Sequence, residues 1–374
     1  MTWSEIETSD NVFDWSDLDD RIPYFDALGQ DIYFQIYGCP LSARIAGQGW
    51  AAVPDQGGIV GAGCVPDTGK LVRFVKALLT RYPQIKYLSP WNEPKWDNPV
   101  VRFTGTLTGT LNAGDVVTGL ASGAEAVVMS CTATSLVVRA TESAATATPF
   151  ANIETIQVDA SHRFAATQQA AVSYWFGTKA QLAMHCQAVH AAAKAVRSSI
   201  VITTPDFVEG ANISGEEEWL ATWLDAGGNG TFDVLAYHFY NYDIRPDNSY
   251  GKAYSLQLRC DAIDAILSAR GISVPKIASE CGNTPGWAYY MAWSKEVQAQ
   301  NLKRVSAYLA MRGWIGVAWY GHSNAYSGNP SAYPEIAQAL NWLGVNIAGR
   351  TISGAYIDSD QTLRMLVDGV PVVL

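Results

Sequence analysis

The chain of 374 residues carries little charge: 16% of it is Asp, Glu, Lys or Arg, with 25 basic against 35 acidic side chains and a formal net charge of -10. No basic cluster stands out along it, which argues against nucleic acid or an anionic membrane as partner. Long apolar runs are missing too. Stretches such as Val234–Tyr237 have strand length, well short of the roughly 18 residues of a membrane span. The opening Met-Thr-Trp-Ser-Glu-Ile-Glu has neither a basic start nor an apolar segment, so no signal peptide is expected. The six cysteines, at 39, 64, 131, 186, 260 and 281, include no Cys-x-x-Cys pair, and no zinc or other metal is expected. Buried free thiols are the simplest reading, with a Cys39–Cys64 bridge left open because sequence gives no connectivity. Gly 32 and Pro 16 are ordinary, and 48% hydrophobic residues excludes disorder.

What is present fits a large α/β protein. At roughly 150 residues per domain the length suggests two domains, and an α/β barrel of about 250 residues plus an extra module fits equally well. From Asp31 onward short apolar strands alternate with amphipathic helices. Strands are expected at 31–37, 85–90, 200–204, 233–240, 275–280 and 315–320. Helices are expected at 68–82, 179–197, 216–226, 256–270, 296–312 and 334–343, the first with apolar 71, 74, 75, 78 and 79 on one face. Such alternation argues for a parallel sheet with helical crossovers. Several strands end in polar or aromatic residues, which suits a barrel whose site lies at the C-terminal rim.

One stretch breaks the pattern. From Arg102 to Ile156 there is no Lys and little helical periodicity, and short Val, Leu and Thr runs are separated by Asn-Ala-Gly-Asp and Ala-Ser-Gly-Ala turns. This predicts a small antiparallel β module inserted in a rim loop. The tail Arg350–Leu374 predicts a short β appendage. The expected organisation is therefore a barrel part over 1–100, an inserted module over 101–160, a second barrel part over 161–348 and the appendage over 349–374.

Two glutamates at strand ends carry the chemistry. Glu93 lies in Ser-Pro-Trp-Asn-Glu-Pro-Lys and Glu280 in Lys-Ile-Ala-Ser-Glu-Cys-Gly. A single rim glutamate is more often a salt-bridge partner or a helix cap. Glycoside hydrolysis, however, needs a proton donor for the leaving oxygen and a second carboxylate opposite it.

Trp91-Asn92-Glu93-Pro94 resembles the Asn-Glu-Pro motif of the clan A glycoside hydrolases, where the Glu is the acid/base at the end of the fourth barrel strand. Glu280 is similar in kind to that clan's nucleophile on the seventh strand. Asp233-Val-Leu-Ala-Tyr-His-Phe-Tyr240 resembles the sixth-strand segment, and Trp319 the eighth-strand aromatic beneath the sugar. The opening, from Trp3-Ser-Glu-Ile-Glu to Val12-Phe-Asp-Trp-Ser-Asp-Leu-Asp19, is similar to glycoside hydrolase family 39 and its relatives acting on bacterial exopolysaccharides. The resemblance implies a (β/α)8 barrel and a retaining mechanism without cofactor, with Glu93 as acid/base, Glu280 as nucleophile and carboxyls about 5–5.5 Å apart. That chemistry requires Glu93 to hold a proton at rest and Glu280 to be ionised. Asn92 is expected to bond the sugar 2-hydroxyl, His238 or Tyr240 to hold Glu280 in line, and Trp319 to floor the site. Tyr37 and Asn283 are further subsite candidates, and Trp50, Trp96, Trp287 and Trp293 are candidates for glycan stacking, each taken singly being more often packing. His185 and His190, five residues apart on one helix, do not read as a metal pair.

The family pattern is departed from at the start. Six strands are legible rather than eight, and Met1 stands almost on the Trp-Ser-Glu-Ile-Glu element. An open barrel edge would need covering, which points to a homo-oligomer or another partner on that side. The leading reading is a retaining, endo-acting hydrolase of a poly- or oligosaccharide, extracellular or phage-associated. The alternative is a catalytically inactive carbohydrate-binding protein on the same barrel. A structural virion protein draws support only from the β insertion, which resembles segments of phage structural proteins.

Overall fold

The structure is a computed structural model that describes residues 2–45, 63–94, 100–141, 149–151, 153–171, 175, 177–208, 219–240, 256–282, 295–319, 334–350, 352–357 and 363–373. The chain divides into two compact units, Met1–Phe207 with Glu216–Asp233, and Val208–Gly215 with Val234–Leu374.

The first unit opens with helix α1 (Trp3–Ile6), the hairpin β1 (Glu7–Ser9) and β2 (Val12–Phe13), and helix α2 (Ser16–Ala27). The Thr2 hydroxyl and the Glu5 carboxylate cap α1 reciprocally. The fully buried Trp3 stacks on Phe74 at 5.0 Å and donates its Nε1–H to Glu7 at 2.7 Å. Glu7, also buried, accepts from Arg73 at 2.6 Å and from the Asn11 amide at 2.8 Å. The opening motif is therefore a clamp onto α3 (Thr68–Arg81), which follows β3 (Ile32–Gln35) and precedes β4 (Ile85–Ser89). Helix α3 starts at Asp67, whose side chain accepts from the Lys70 amide at 3.0 Å, and it buries Leu71, Phe74, Val75, Leu78 and Leu79 as the periodicity predicts.

An antiparallel barrel follows: β5 (Val100–Thr108), β6 (Val116–Gly119), β7 (Glu125–Cys131), β8 (Ser135–Ala140), β9 (Thr155–Asp159) and β10 (His162–Ala171), closed in the order β10-β5-β8-β7-β6-β9. Alternate residues such as Val101, Phe103, Val117, Val128, Val138, Ile156 and Phe164 fill its interior. The sequence-based end at 160 falls short, because β10 pairs with both β5 and β9 and closes the barrel as far as Ala171. Glu154, 7% exposed, ties the β6–β7 turn to the approach to β9 by accepting from the amides of Ala121, Ser122 and Ala151 and from the Ser122 hydroxyl.

The chain then returns to alternation with α4 (Lys179–Val196), β11 (Val201–Ile202) and α5 (Trp219–Trp223). Thr178 and Gln181 cap α4 reciprocally. Helix α5 loses its regular form before the expected end at 226. Its regular part stops at Trp223 and a wider turn runs to Gly228, with Gly227 at φ 109°, a conformation open to glycine. Strands β11, β4 and β3 form one parallel sheet in that order.

The second unit holds β12 (Leu235–Tyr240), α6 (Leu256–Ser268), β13 (Lys276–Gly282), α7 (Lys295–Met311), β14 (Trp314–Trp319) and α8 (Pro334–Asn346). Strands β12, β13 and β14 form a second parallel sheet. The tail is an antiparallel sheet of β15 (Ile352–Ile357), β16 (Leu363–Val367) and β17 (Val370–Val373), and Met365 and Val367 pack with Ala307 of α7 and Ile347 after α8. Among the described residues the two sheets hold six parallel strands, each at a position expected from the sequence, although β11 is reduced to two residues. All six cysteines are free thiols, so no Cys39–Cys64 bridge is formed. Burial pushes the thiols up, that of Cys64 to about 12.

Candidate active site

In the first unit the site is built on the turn after β4. Pro90 has no amide hydrogen to continue strand pairing, and the next residues leave the sheet. Trp91 is fully buried and meets the rings of Trp175 and His185 edge-on at 5.2 and 5.1 Å. His185 Nε2 donates to the Pro90 carbonyl at 2.9 Å, and the Ser89 hydroxyl donates to the Trp91 carbonyl at 3.1 Å. Burial holds the His185 imidazole down to about 4, against the smaller opposing effect of its bond to Pro90. It is neutral at pH 7 and works as packing and as a backbone donor.

The other side of the turn is clamped by Asp206, four residues past β11. The Asp206 amide donates to the Trp91 carbonyl at 2.9 Å and the Glu93 amide donates to the Asp206 carbonyl at 2.9 Å, which pairs Asn92 with Asp206 as an isolated parallel bridge. Glu93, whose amide makes the second of these bonds, sits at φ 41°, in the left-handed region that side-chain-bearing residues avoid. Strain of this kind is held where surrounding contacts over-determine the backbone, and it gathers at functional sites.

The side chains around the turn form one polar cluster. Tyr33 and Gln35 share a face of β3, two residues apart. The Tyr33 hydroxyl donates to Asp206 Oδ1 at 2.5 Å. Gln35 Nε2 lies 2.7 Å from Asp206 Oδ2 and 2.7 Å from Asn92 Oδ1. Asp206 is fully buried. Burial, and then the Asp206 charge, push the Tyr33 phenol well up, so it stays a donor.

In the second unit, β12 and β13 run parallel with Tyr237 opposite Ala278 and His238 opposite Glu280, so the register slips by one residue there. The β13–β14 register slips as well, between Ala278 and Cys281. Glu280 thus stands at an irregular point of both ladders, the kind of place where a bulge re-aims a side chain. His238 is fully buried, and its Nδ1 lies 3.6 Å from Glu280 Oε2, whose side chain is 21% exposed.

Of the residues expected from the sequence, Asn92 and Glu93 come together with the Asp206 clamp, and His238 comes together with Glu280. Tyr240 and Trp319 lie on β12 and β14, their backbones opposite Gly282 and Cys281. Tyr37 is half-buried just beyond β3, its carbonyl accepting from the Trp3 amide at 2.7 Å. Asn283, Trp50, Trp96, Trp287 and Trp293 lie outside the described residues. Sequence reasoning missed Tyr33, Gln35 and Asp206. The signal available was the alternation in Asp31-Ile-Tyr-Phe-Gln-Ile-Tyr37, which puts Tyr33 and Gln35 on one face; nothing marked Asp206.

No protein-family model matches the chain, and no curated protein matches it. In structure it is similar to a GH39 β-xylosidase from Caulobacter crescentus, with a TM-score of 0.52 and 14% identity over 97% of this chain and 66% of that one. It is also similar to a glucosidase from Croceicoccus marinus, with a TM-score of 0.51 and 12% identity over 98% of this chain and 63% of that one. A monomeric β-xylosidase from Caulobacter crescentus gives a TM-score of 0.50 and 12% identity over 95% of this chain and 58% of that one. The chain therefore spans from 58% to 66% of the length of these structures. In its fold the chain is similar to the clan A glycoside hydrolases, GH39 β-xylosidases among them.

Proposed function

We propose that the protein is a retaining glycoside hydrolase that cleaves a poly- or oligosaccharide by double displacement, with Glu93 as acid/base and Glu280 as nucleophile. The observation that carries this reading is the strained turn after β4. A glutamate at φ 41°, its amide held by the Asp206 carbonyl, follows a strand end in a fold similar to glycosidases. Glu280, at a register slip beside a buried histidine, adds the second carboxylate that the chemistry needs.

In the first step the Glu280 carboxylate attacks the anomeric carbon, the glycosidic C–O bond breaks, and the Glu93 proton passes to the leaving oxygen. A glycosyl ester on Glu280 results. In the second step Glu93, now a carboxylate, takes a proton from water as its oxygen attacks the same carbon, which releases the sugar and restores Glu280. His238 holds Glu280 in line, and Asn92 bonds the sugar 2-hydroxyl. Tyr240, Trp319, Tyr37 and Asn283 are the subsite residues that this reading assigns from the sequence. On the (β/α)8 barrel of clan A enzymes both carboxylates reach the C-terminal rim, and a retaining enzyme requires them about 5–5.5 Å apart. Long rim segments suit an endo-acting groove.

The test is the stereochemistry of cleavage. Proton NMR of the first product formed from a cleaved glycan is expected to show the anomer of the substrate, and Glu280→Gln is expected to abolish its release. Inversion, or full activity of Glu280→Gln, contradicts the assignment. Glycan binding with no cleavage by the wild-type protein supports the carbohydrate-binding reading in its place.

A further inference from the structure

Gln35 Nε2 lies 2.7 Å from Asp206 Oδ2 and 2.7 Å from Asn92 Oδ1. The direction of these two bonds follows from donor and acceptor chemistry. A carboxylate only accepts, and Asp206 already takes the Tyr33 hydroxyl on its other oxygen. Gln35 must therefore turn its amide nitrogen, not its oxygen, toward Asp206. The second hydrogen on that nitrogen then points at Asn92, which can meet it only with its oxygen. The amide of Asn92 is left with both N–H groups directed away from Gln35. The two amides are isosteric with their flipped forms, and the charge at the head of the chain favours one of the two.

We infer that Asp206 is a positioning residue that acts through Gln35 to fix Asn92 as a hydrogen-bond donor, so the ligand atom Asn92 meets is an acceptor oxygen. This rests on the glycosidase reading for the identity of that atom, the sugar 2-hydroxyl oxygen, which then keeps its own hydrogen for another partner. The buried carboxylate thus has two roles. Its backbone holds the Glu93 turn, and its side chain sets the polarity of the neighbouring amide.

Two measurements test this. Neutron diffraction from crystals exchanged into D2O is expected to place deuterons on the Gln35 atom facing Asp206 and on the Asn92 atom facing away from Gln35. The reverse orientation of either amide overturns the inference, whether or not the protein hydrolyses anything. In kinetics, Asp206→Asn and Gln35→Met are each expected to lower kcat/KM on a 2-hydroxy glycoside by about tenfold while leaving the matching 2-deoxy glycoside within about twofold. Gln35→Met leaves Asp206 and its backbone clamp in place, so it serves where Asp206→Asn fails to fold. Equal losses on both substrates mean a purely structural role and overturn the inference. Wild-type protein inactive on every glycoside refutes the proposed function alone, with the neutron map still deciding the amide orientation.

Discussion

His185 shows how a single side chain links the chemistry of the interior to the site. It is buried among Trp91 and Trp175 and donates to the carbonyl of Pro90, two residues ahead of Asn92. Its folded value of about 4 lies below the unfolded value near 6.5. Between these pH values the unfolded chain holds a proton that the folded chain does not, so acid favours unfolding. The contribution is complete above about pH 6.5 and is lost as pH falls toward 4, an effect of ~3 kcal/mol. Urea unfolding of the wild type at pH 7 and pH 4 should show this extra acid loss, and His185→Gln, which can still donate to Pro90, should lack it. An identical loss in both proteins contradicts the assignment.

At the scale of elements, close packing makes sharp predictions. A Cβ added to Gly105 of β5 would fall 2.0 Å from the Ala165 carbonyl of β10, so Gly105→Ala must force those strands apart. A loss of about 1–3 kcal/mol is expected, read as a lower midpoint in thermal or urea unfolding. Removing the cap of α4 with Thr178→Ala should cost about 1 kcal/mol by the same assay. These elements also show what a sequence can and cannot disclose. Helix α3 was legible residue by residue, because its buried face repeats at helical spacing. The six parallel strands were legible as apolar runs, and Trp91-Asn92-Glu93 as a motif. Strand β10 was not, since His162-Arg-Phe-Ala-Ala-Thr-Gln-Gln-Ala-Ala171 has little β propensity and becomes a strand because β5 and β9 flank it. The Asp206 cluster was hidden for a related reason. Gln35, Asn92 and Asp206 stand far apart in the chain, and each by itself reads as an ordinary polar residue near a strand end. Only the neighbouring order of β3, β4 and β11 makes them one network.

On the scale of the whole molecule, the antiparallel barrel of β5–β10 closes on its own core and, among the described residues, leaves no open sheet edge. A fragment spanning roughly residues 98–172 is accordingly expected to fold alone, with dispersed amide NMR signals and a cooperative melt; a disordered spectrum contradicts that independence. The α/β part carries the two glutamates, and its similarity to β-xylosidase and glucosidase structures concerns the fold. Activity is therefore the decisive question. The most direct measurement is the release of new reducing ends from a panel of plant xylans, β-glucans, chitosan and bacterial exopolysaccharides, by wild type and by Glu280→Gln. Release by the wild type, abolished in Glu280→Gln with glycan binding kept, is the predicted result. Binding without release by the wild type, or equal release by both proteins, contradicts the account.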